Sequence, residues 1–133
     1  MKKVSKNFFK DSHPVIELKL CSVRLIDNSK FPWLILIPNR KNVTDIFQLN
    51  SKDQILLMKE IVYVSKTMKK IFKAFNLNVE KIGNIVSQLH IHIIARSKKD
   101  SSWPLSVWVV KKKSYLKQDL DKNIKKIKKN FGV

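Results

Sequence analysis

The sequence predicts an α+β domain, an antiparallel sheet with one long helix and a C-terminal helix packed on it. Three observations carry that expectation. Residues 88–96 alternate apolar and polar, as a half-buried strand does. Trp33-Leu34-Ile35-Leu36-Ile37 is an unbroken apolar run between Pro32 and Pro38. Two further segments, about Asn50 to Phe75 and Leu116 to Phe131, repeat their apolar residues at helical spacing.

Asp11-Ser12-His13-Pro14 reads as a turn, with the proline biasing His13 towards an extended conformation. Val15 to Leu25 alternates as one strand with a break or bulge. Asp27-Asn28-Ser29-Lys30 has turn composition. The apolar run that follows has the signature of a strand buried on both faces, so the two runs predict an antiparallel hairpin. Asn39 to Thr44 is a polar loop. The long helix starts near Asn50 or Ser51, where Ser51-Lys52-Asp53-Gln54 has the form of a capping box. Ile55, Met58, Ile61, Val62, Ser65, Met68 and Phe72 give its inner stripe, widened by Leu56, Leu57 and Ile71. Asn76-Leu77-Asn78 ends it. Val79 to Ile85 reads as a loop or short strand. Gly83, one of two glycines, marks a conformation or close approach that a side chain would forbid. Lys98 to Pro104 is a loop and Val107 to Val110 is extended. Leu116, Leu120, Ile124, Ile127 and Phe131 line the inner face of the last helix, with lysines outside.

At 133 residues the chain is expected to form one domain, 1–133, with no internal repeat. Its single cysteine, Cys21, excludes an internal disulfide and reads as a small core residue. Met1-Lys2-Lys3 is followed by Lys6, Asn7 and Lys10 where a secretory signal needs apolar residues. No apolar run reaches membrane-spanning length. The expectation is a cytoplasmic protein without membrane attachment. The formal net charge is +18, and 28 residues are basic, of which only Arg24, Arg40 and Arg96 are arginine. Such a surface attracts nucleotides, RNA and acidic partners. An AT-rich genome gives the same lysine, isoleucine and asparagine bias, so a solvated lysine surface is favoured over a dedicated nucleic-acid track.

Gln88-Leu89-His90-Ile91-His92-Ile93-Ile94-Ala95-Arg96 holds two of the three histidines. Read as a strand, it sets Gln88, His90 and His92 on one face, roughly 7 Å apart from one to the next. Such a pair can bind a metal, do nucleophilic or acid–base work, or lie on a solvated sheet face. A zinc site wants three or four ligands, and no Cys cluster or His-Glu-x-x-His motif accompanies the pair. A neutral imidazole is a competent nucleophile towards phosphorus when its other nitrogen is held in the right tautomer.

Gln88-Leu-His90-Ile-His92-Ile-Ile is similar to the His-φ-His-φ-His-φ-φ signature of the histidine-triad (HIT) superfamily, where φ is apolar. It resembles in particular a bacterial branch with glutamine at the first triad position. Phe31-Pro-Trp-Leu-Ile-Leu-Ile-Pro38 with Arg40, Gly83-Asn84-Ile85-Val86, Ala95-Arg96 with Asp100, Trp103-Pro104 and Asp11-Ser12-His13 match that branch in order.

The resemblance implies a HIT-like fold and a nucleotide hydrolase or transferase. His90 would attack the α-phosphate of nucleoside phosphoramidates or dinucleoside polyphosphates and form a nucleotidyl-histidine intermediate. His92 would bind phosphate and position the site. Gln88, the departure from the triad, cannot hold a proton charge. Asn84 aligns with a phosphate contact and Asp27 with a ribose-binding residue, Asn28 being the one-residue alternative. Ile85 stands where many relatives have a hydroxyl. Arg96 is either a phosphate contact or a salt-bridge partner of Asp100. Trp33, Trp103 and Trp108 are candidates to stack on a base, Trp33 being better read as core and Trp103-Pro104 as a packed loop or dimer contact. The resemblance further implies a homodimer paired through the strand and long-helix region. No metal or cofactor is required in the chemical step, although a divalent cation can accompany a polyphosphate substrate. The rival reading is a nucleotide- or RNA-binding module with little catalysis, motivated by Gln88 and the basicity. A third, a histidine-dependent metal protein, is weaker.

Overall fold

The computed structural model describes residues 4–132; the Met1-Lys2-Lys3 segment weighed above lies outside them. Strands β1 (Ser12–Glu17), β2 (Cys21–Ile26), β3 (Trp33–Pro38), β4 (Asn76–Lys81) and β5 (Ile91–Arg96) form one antiparallel sheet in the order β1-β2-β3-β5-β4. Helices α1 (Ser51–Phe72) and α2 (Lys117–Asn130) complete the α+β architecture.

The apolar run 33–37 lies in β3, the central strand, and every residue of β3 is buried. That follows from its composition, since each face of the sheet carries its own core. Leu34 and Leu36 join Leu57, Ile61, Val64 and Met68 of α1 and Ile127 of α2 on one side. Trp33, Ile35 and Ile37 join Phe8, Phe31, Ile94 and Val107 on the other. The second side has no long helix. Two short 3-10 turns, Lys6–Phe9 and Val107–Val109, contribute Phe8 and Val107 to it.

Several local expectations are corrected. Val15 to Leu25 is not one strand but the β1–β2 hairpin, with Leu18-Lys19-Leu20 as its turn. Its apolar alternation continues through the turn because Leu20 is itself core. The turn is held from α1: the Glu60 carboxylate accepts the Leu20 and Cys21 backbone N–H groups at 2.8 and 2.9 Å. Ser12, His13 and Pro14 belong to β1, an edge strand, where the missing proline N–H costs no ladder bond. Asn76 to Asn78 do not end the helix but begin β4. The helix stops at Lys73, whose φ of 49° turns the chain. Val107 to Val109 is a 3-10 turn rather than extended. The capping residue is Asn50, whose side chain accepts from Asp53 N–H; Gln54 instead donates to Leu49 O.

The inner stripe of α1 is rotated from the expected one. Leu57, Ile61, Val64 and Met68 are buried, whereas Ile55, Met58 and Val62 are exposed. Two apolar stripes lie side by side on this helix, and period alone does not choose between them. The polar side chains that need partners decide it, since Glu60 must reach the β1–β2 turn and Asp53 must meet Arg40. Cys21 is fully buried, and burial pushes its thiol well above the ordinary range, as expected of a core residue. Gly83 has a φ of 76°, and an added Cβ would meet only ordinary contacts, so conformation is what requires glycine there. In α2, Leu120, Ile124 and Ile127 pack inward, as does Phe131 at its C-cap; Leu116, just before the helix, is exposed. Among the described residues no helix is long and apolar enough to cross a membrane.

Glu60 gives a stability test. Glu60→Ala leaves two N–H groups in a buried turn without acceptors and should cost about 2–4 kcal/mol. Urea unfolding should show this as a lower midpoint at an unchanged slope.

Candidate active site

β5 places His92 on the face opposite the helices, and Leu89 brings His90 to it from just before the strand. The Leu89 N–H donates to Val43 O at 2.9 Å, which fixes the approach of residues 88–90. The two imidazoles meet edge to face with centroids 4.8 Å apart. Both are buried, at 7% and 4% exposure, yet both line a cavity of about 530 Å³. That volume lies within the ordinary range for small-molecule sites. Phe8, Ile26, Ile35, Val107 and Val110 make much of its wall apolar. Asp11, Asn28, Asn84 and Lys112 are its polar members.

The tautomers follow from the partners. His90 Nδ1 lies 2.7 Å from the Gln88 backbone carbonyl, which only accepts. Nδ1 therefore carries the proton and Nε2 keeps a lone pair. His92 Nδ1 accepts the Trp33 indole N–H at 3.0 Å. Since the indole only donates, Nδ1 is unprotonated and the neutral ring carries its proton on Nε2. Burial holds both rings neutral. It lowers the His90 pKa, and it takes His92 down to about 3, with neighbouring His90 adding to the effect. The cavity thus holds one imidazole with a free lone pair beside another with a free N–H.

A family model described as the HIT domain matches residues 7–99. The chain belongs to the histidine triad (HIT) family. A search of the curated proteins found no match. Among solved structures, the chain is similar to a histidine triad protein from Bradyrhizobium japonicum, at 34% identity over 96% of each chain and a TM-score of 0.92. It is similar to one from Sinorhizobium meliloti at 34% identity, over 98% of this chain and 97% of that one, with a TM-score of 0.93. For one from Marinobacter aquaeolei the values are 29% identity, 99% and 97% coverage, and a TM-score of 0.94.

Within this HIT domain, His90, His92, Asn84 and Asn28 meet at one cavity. Three other candidates do not. Asp27, the first choice for ribose, does not line the cavity; its Oδ1 accepts the Tyr115 N–H at 2.8 Å and its Oδ2 lies 3.5 Å from His13 Nε2. The adjacent Asn28 lines it instead, because the chain turns after β2 and successive side chains diverge. Arg96 does not line the cavity either. It is 2% exposed and points into the loop after β5. There it pairs with both Asp100 oxygens and donates to Asn78, Ser102 and the Leu105 carbonyl. Gln88 precedes β5 and its side chain lies outside the cavity, with Oε1 accepting the Ser5 N–H at 2.7 Å.

The tryptophans also separate. Trp103 packs on Phe75 and the Arg96 guanidinium. Trp33 is core, with its N–H on His92. Trp108 lines the HIT cavity half-exposed, edge-on to Trp33 and His92, and donates its N–H to Glu80 of β4 at 2.8 Å. The sequence reading missed Phe8, Asp11 and Lys112 as cavity residues. An apolar pair, Phe8-Phe9, in an otherwise polar start was the available signal for Phe8. Among the described residues no group of three or more His, Cys, Asp or Glu is arranged to hold a metal ion.

Proposed function

We propose that the protein is a nucleotidyl hydrolase or transferase acting at the α-phosphate of nucleoside phosphoramidates or dinucleoside polyphosphates. The observation that carries this reading is the complementary pair of tautomers at one cavity, His90 with a free Nε2 lone pair and His92 with a free Nε2–H.

His90 Nε2 attacks the α-phosphorus. A P–N bond forms and the bond to the leaving oxygen or nitrogen breaks, its electron pair going with the leaving group, which takes a proton from water. The imidazolium so formed keeps its Nδ1–H on the Gln88 carbonyl, which stabilises the new positive charge. His92 donates its Nε2–H to a phosphate oxygen in both steps. Water then attacks phosphorus, the P–N bond electrons return to Nε2, and the water proton leaves to solvent. Splitting one displacement into two is the gain from a covalent nucleophile.

Asn84 supplies a further donor for phosphate oxygens, and Asn28 faces the ribose. The apolar wall and Trp108 accept the base. A divalent cation would enter with a polyphosphate substrate rather than as a resident cofactor. The exposed stripe Ile55, Met58 and Val62, together with exposed Val79 of edge strand β4, supports homodimer pairing through this side. The buried thiol of Cys21 and a nucleotide substrate fit a cytoplasmic enzyme.

The test is a trapped intermediate. Protein quenched during turnover of adenosine phosphoramidate should carry an acid-labile nucleotidyl adduct on His90 by mass spectrometry. An adduct elsewhere, or none despite turnover, would sink the mechanism. Trp33→Phe keeps an aromatic, though smaller, ring and removes the donor that fixes His92. Turnover should fall about 10–100-fold with little change in nucleotide affinity, as for other groups that orient a functional imidazole.

The second reading, a nucleotide- or RNA-binding module with little catalysis, is favoured by Gln88, whose amide supplies no acidic proton to a leaving group. It expects strong RNA binding at moderate salt with a base preference, and equal residual activity with and without His90.

A further inference from the structure

Gln88 lines a groove next to the histidine cavity rather than the cavity itself, together with Ser5, Asn7, Arg40 and Val43. Its Oε1 holds the Ser5 N–H. Ser5 in turn caps the 3-10 turn Lys6–Phe9, its hydroxyl accepting from Asn7 N–H at 3.2 Å. That turn delivers Phe8, which is 4% exposed and stands edge-on to the His90 ring, centroids 4.8 Å apart. The far end of the segment is fastened as well. The Ser12 hydroxyl donates to the Phe8 carbonyl, and Arg24 donates to both Ser12 oxygens while its guanidinium covers Phe9. The segment is therefore pinned at both ends, with the residue that touches His90 between the pins.

We propose that Gln88 is a positioning residue, a latch that fastens the N-terminal segment over the site so that Phe8 walls the cavity and steadies His90. Its backbone carbonyl meets His90 directly, whereas its side chain acts on His90 through that segment and not on the substrate. The residue type suits the task. An amide oxygen accepts at any pH, whereas an imidazole accepts only while neutral and only at one nitrogen. An uncharged latch also adds no field beside a nucleophile that must stay neutral. The latch itself stands on the contacts above; only its effect on turnover rests on the nucleotidyl reading.

The experiment compares Gln88→Met, which loses the acceptor at similar length, with Gln88→Glu, which keeps an acceptor oxygen, and with Phe8→Ala. The first measurement is the rate of tryptic cleavage after Lys6 and Lys10. Gln88→Met should be cut about five- to tenfold faster than wild type, and Gln88→Glu within about twofold of it, the difference expected for one hydrogen bond. The second is the NMR titration of the His90 ring. In Gln88→Met and Phe8→Ala alike, water reaches the ring and its midpoint should rise towards the ordinary histidine value, with no further rise in the double variant. Cleavage of Gln88→Met at the wild-type rate with an unmoved titration would overturn the latch. So would a loss of turnover in Gln88→Met with both measurements unchanged, since Gln88 would then be acting on substrate. If both contrasts hold while no form of the protein turns over a nucleotide, the latch stands and the nucleotidyl reading fails.

Discussion

His90→Ala is expected to lower turnover of an adenosine phosphoramidate or a dinucleoside tetraphosphate by at least about a thousandfold, since the remaining imidazole, His92, has its Nδ1 lone pair on the Trp33 N–H and presents an N–H to the cavity. Affinity for a nucleoside monophosphate should change only a few-fold, because Asn28, Asn84, His92 and the apolar wall remain. Steady-state kinetics and calorimetric titration check the two halves separately. Equal residual turnover in wild type and variant would remove the enzyme reading and leave the binding module. The pH profile adds a signed test. His90 must be neutral to attack, and burial lowers its pKa below the ordinary value of 6.5. The acid limb of kcat/KM should therefore lie below pH 6.5, with a flat profile through neutrality. The same burial makes the fold acid-sensitive. A histidine whose folded pKa is depressed contributes stability above its unfolded pKa and loses it as pH falls. For His92 the window runs from about 6.5 down to about 3.

Arg96→Ala is expected to destabilise the domain by about 3–5 kcal/mol, the usual cost of stripping one partner from a buried ion pair. The guanidinium is almost wholly enclosed and its donors meet Asp100, Asn78, Ser102 and Leu105. Its loss leaves the Asp100 carboxylate behind at 8% side-chain exposure. Burial pushes that carboxyl up, but Arg96 and three backbone N–H groups outweigh it and hold the pKa at about 2. Arg96→Lys should recover little, because a point charge cannot reproduce the two-oxygen fork. Urea unfolding of the three proteins gives the comparison, and a loss of under about 1 kcal/mol would refute the structural role. The loop that Arg96 ties down leads into the turn carrying Val107 and Trp108, so weaker nucleotide binding should accompany the loss of stability.

What could be read from the chain, and what could not, divides along physical lines. The buried strand 33–37, its hairpin with the preceding run, both helices and the pairing of His90 with His92 were legible, because each rests on spacing within one short segment. The phase of α1 was not. Two neighbouring apolar stripes fit the same period, and the choice came from Glu60 and Asp53, whose partners lie far away in sequence. The β1–β2 turn was hidden because its leucines are core and extend the strand pattern through it.

The Gln88–Arg96 stretch shows the same boundary at the site. By itself the sequence brought two imidazoles to one sheet face; it set Gln88 beside them as well, whereas Gln88 precedes β5 and its amide opens onto the adjoining groove. The resemblance to the family signature made His90 the proposed nucleophile and Gln88 the residue that departs from the triad. Only the tertiary structure decided what each of the three is attached to. Trp33, from another strand, sets the proton of His92. Ser5 and Phe8, from the start of the chain, take up Gln88 and face His90. Arg96 turns into its own loop, and Asn28 replaces Asp27 at the cavity. The reason is one of range. Strand alternation is a local property of the backbone, whereas tautomer, burial and the direction of a side chain at a turn depend on partners that sequence spacing does not bring together.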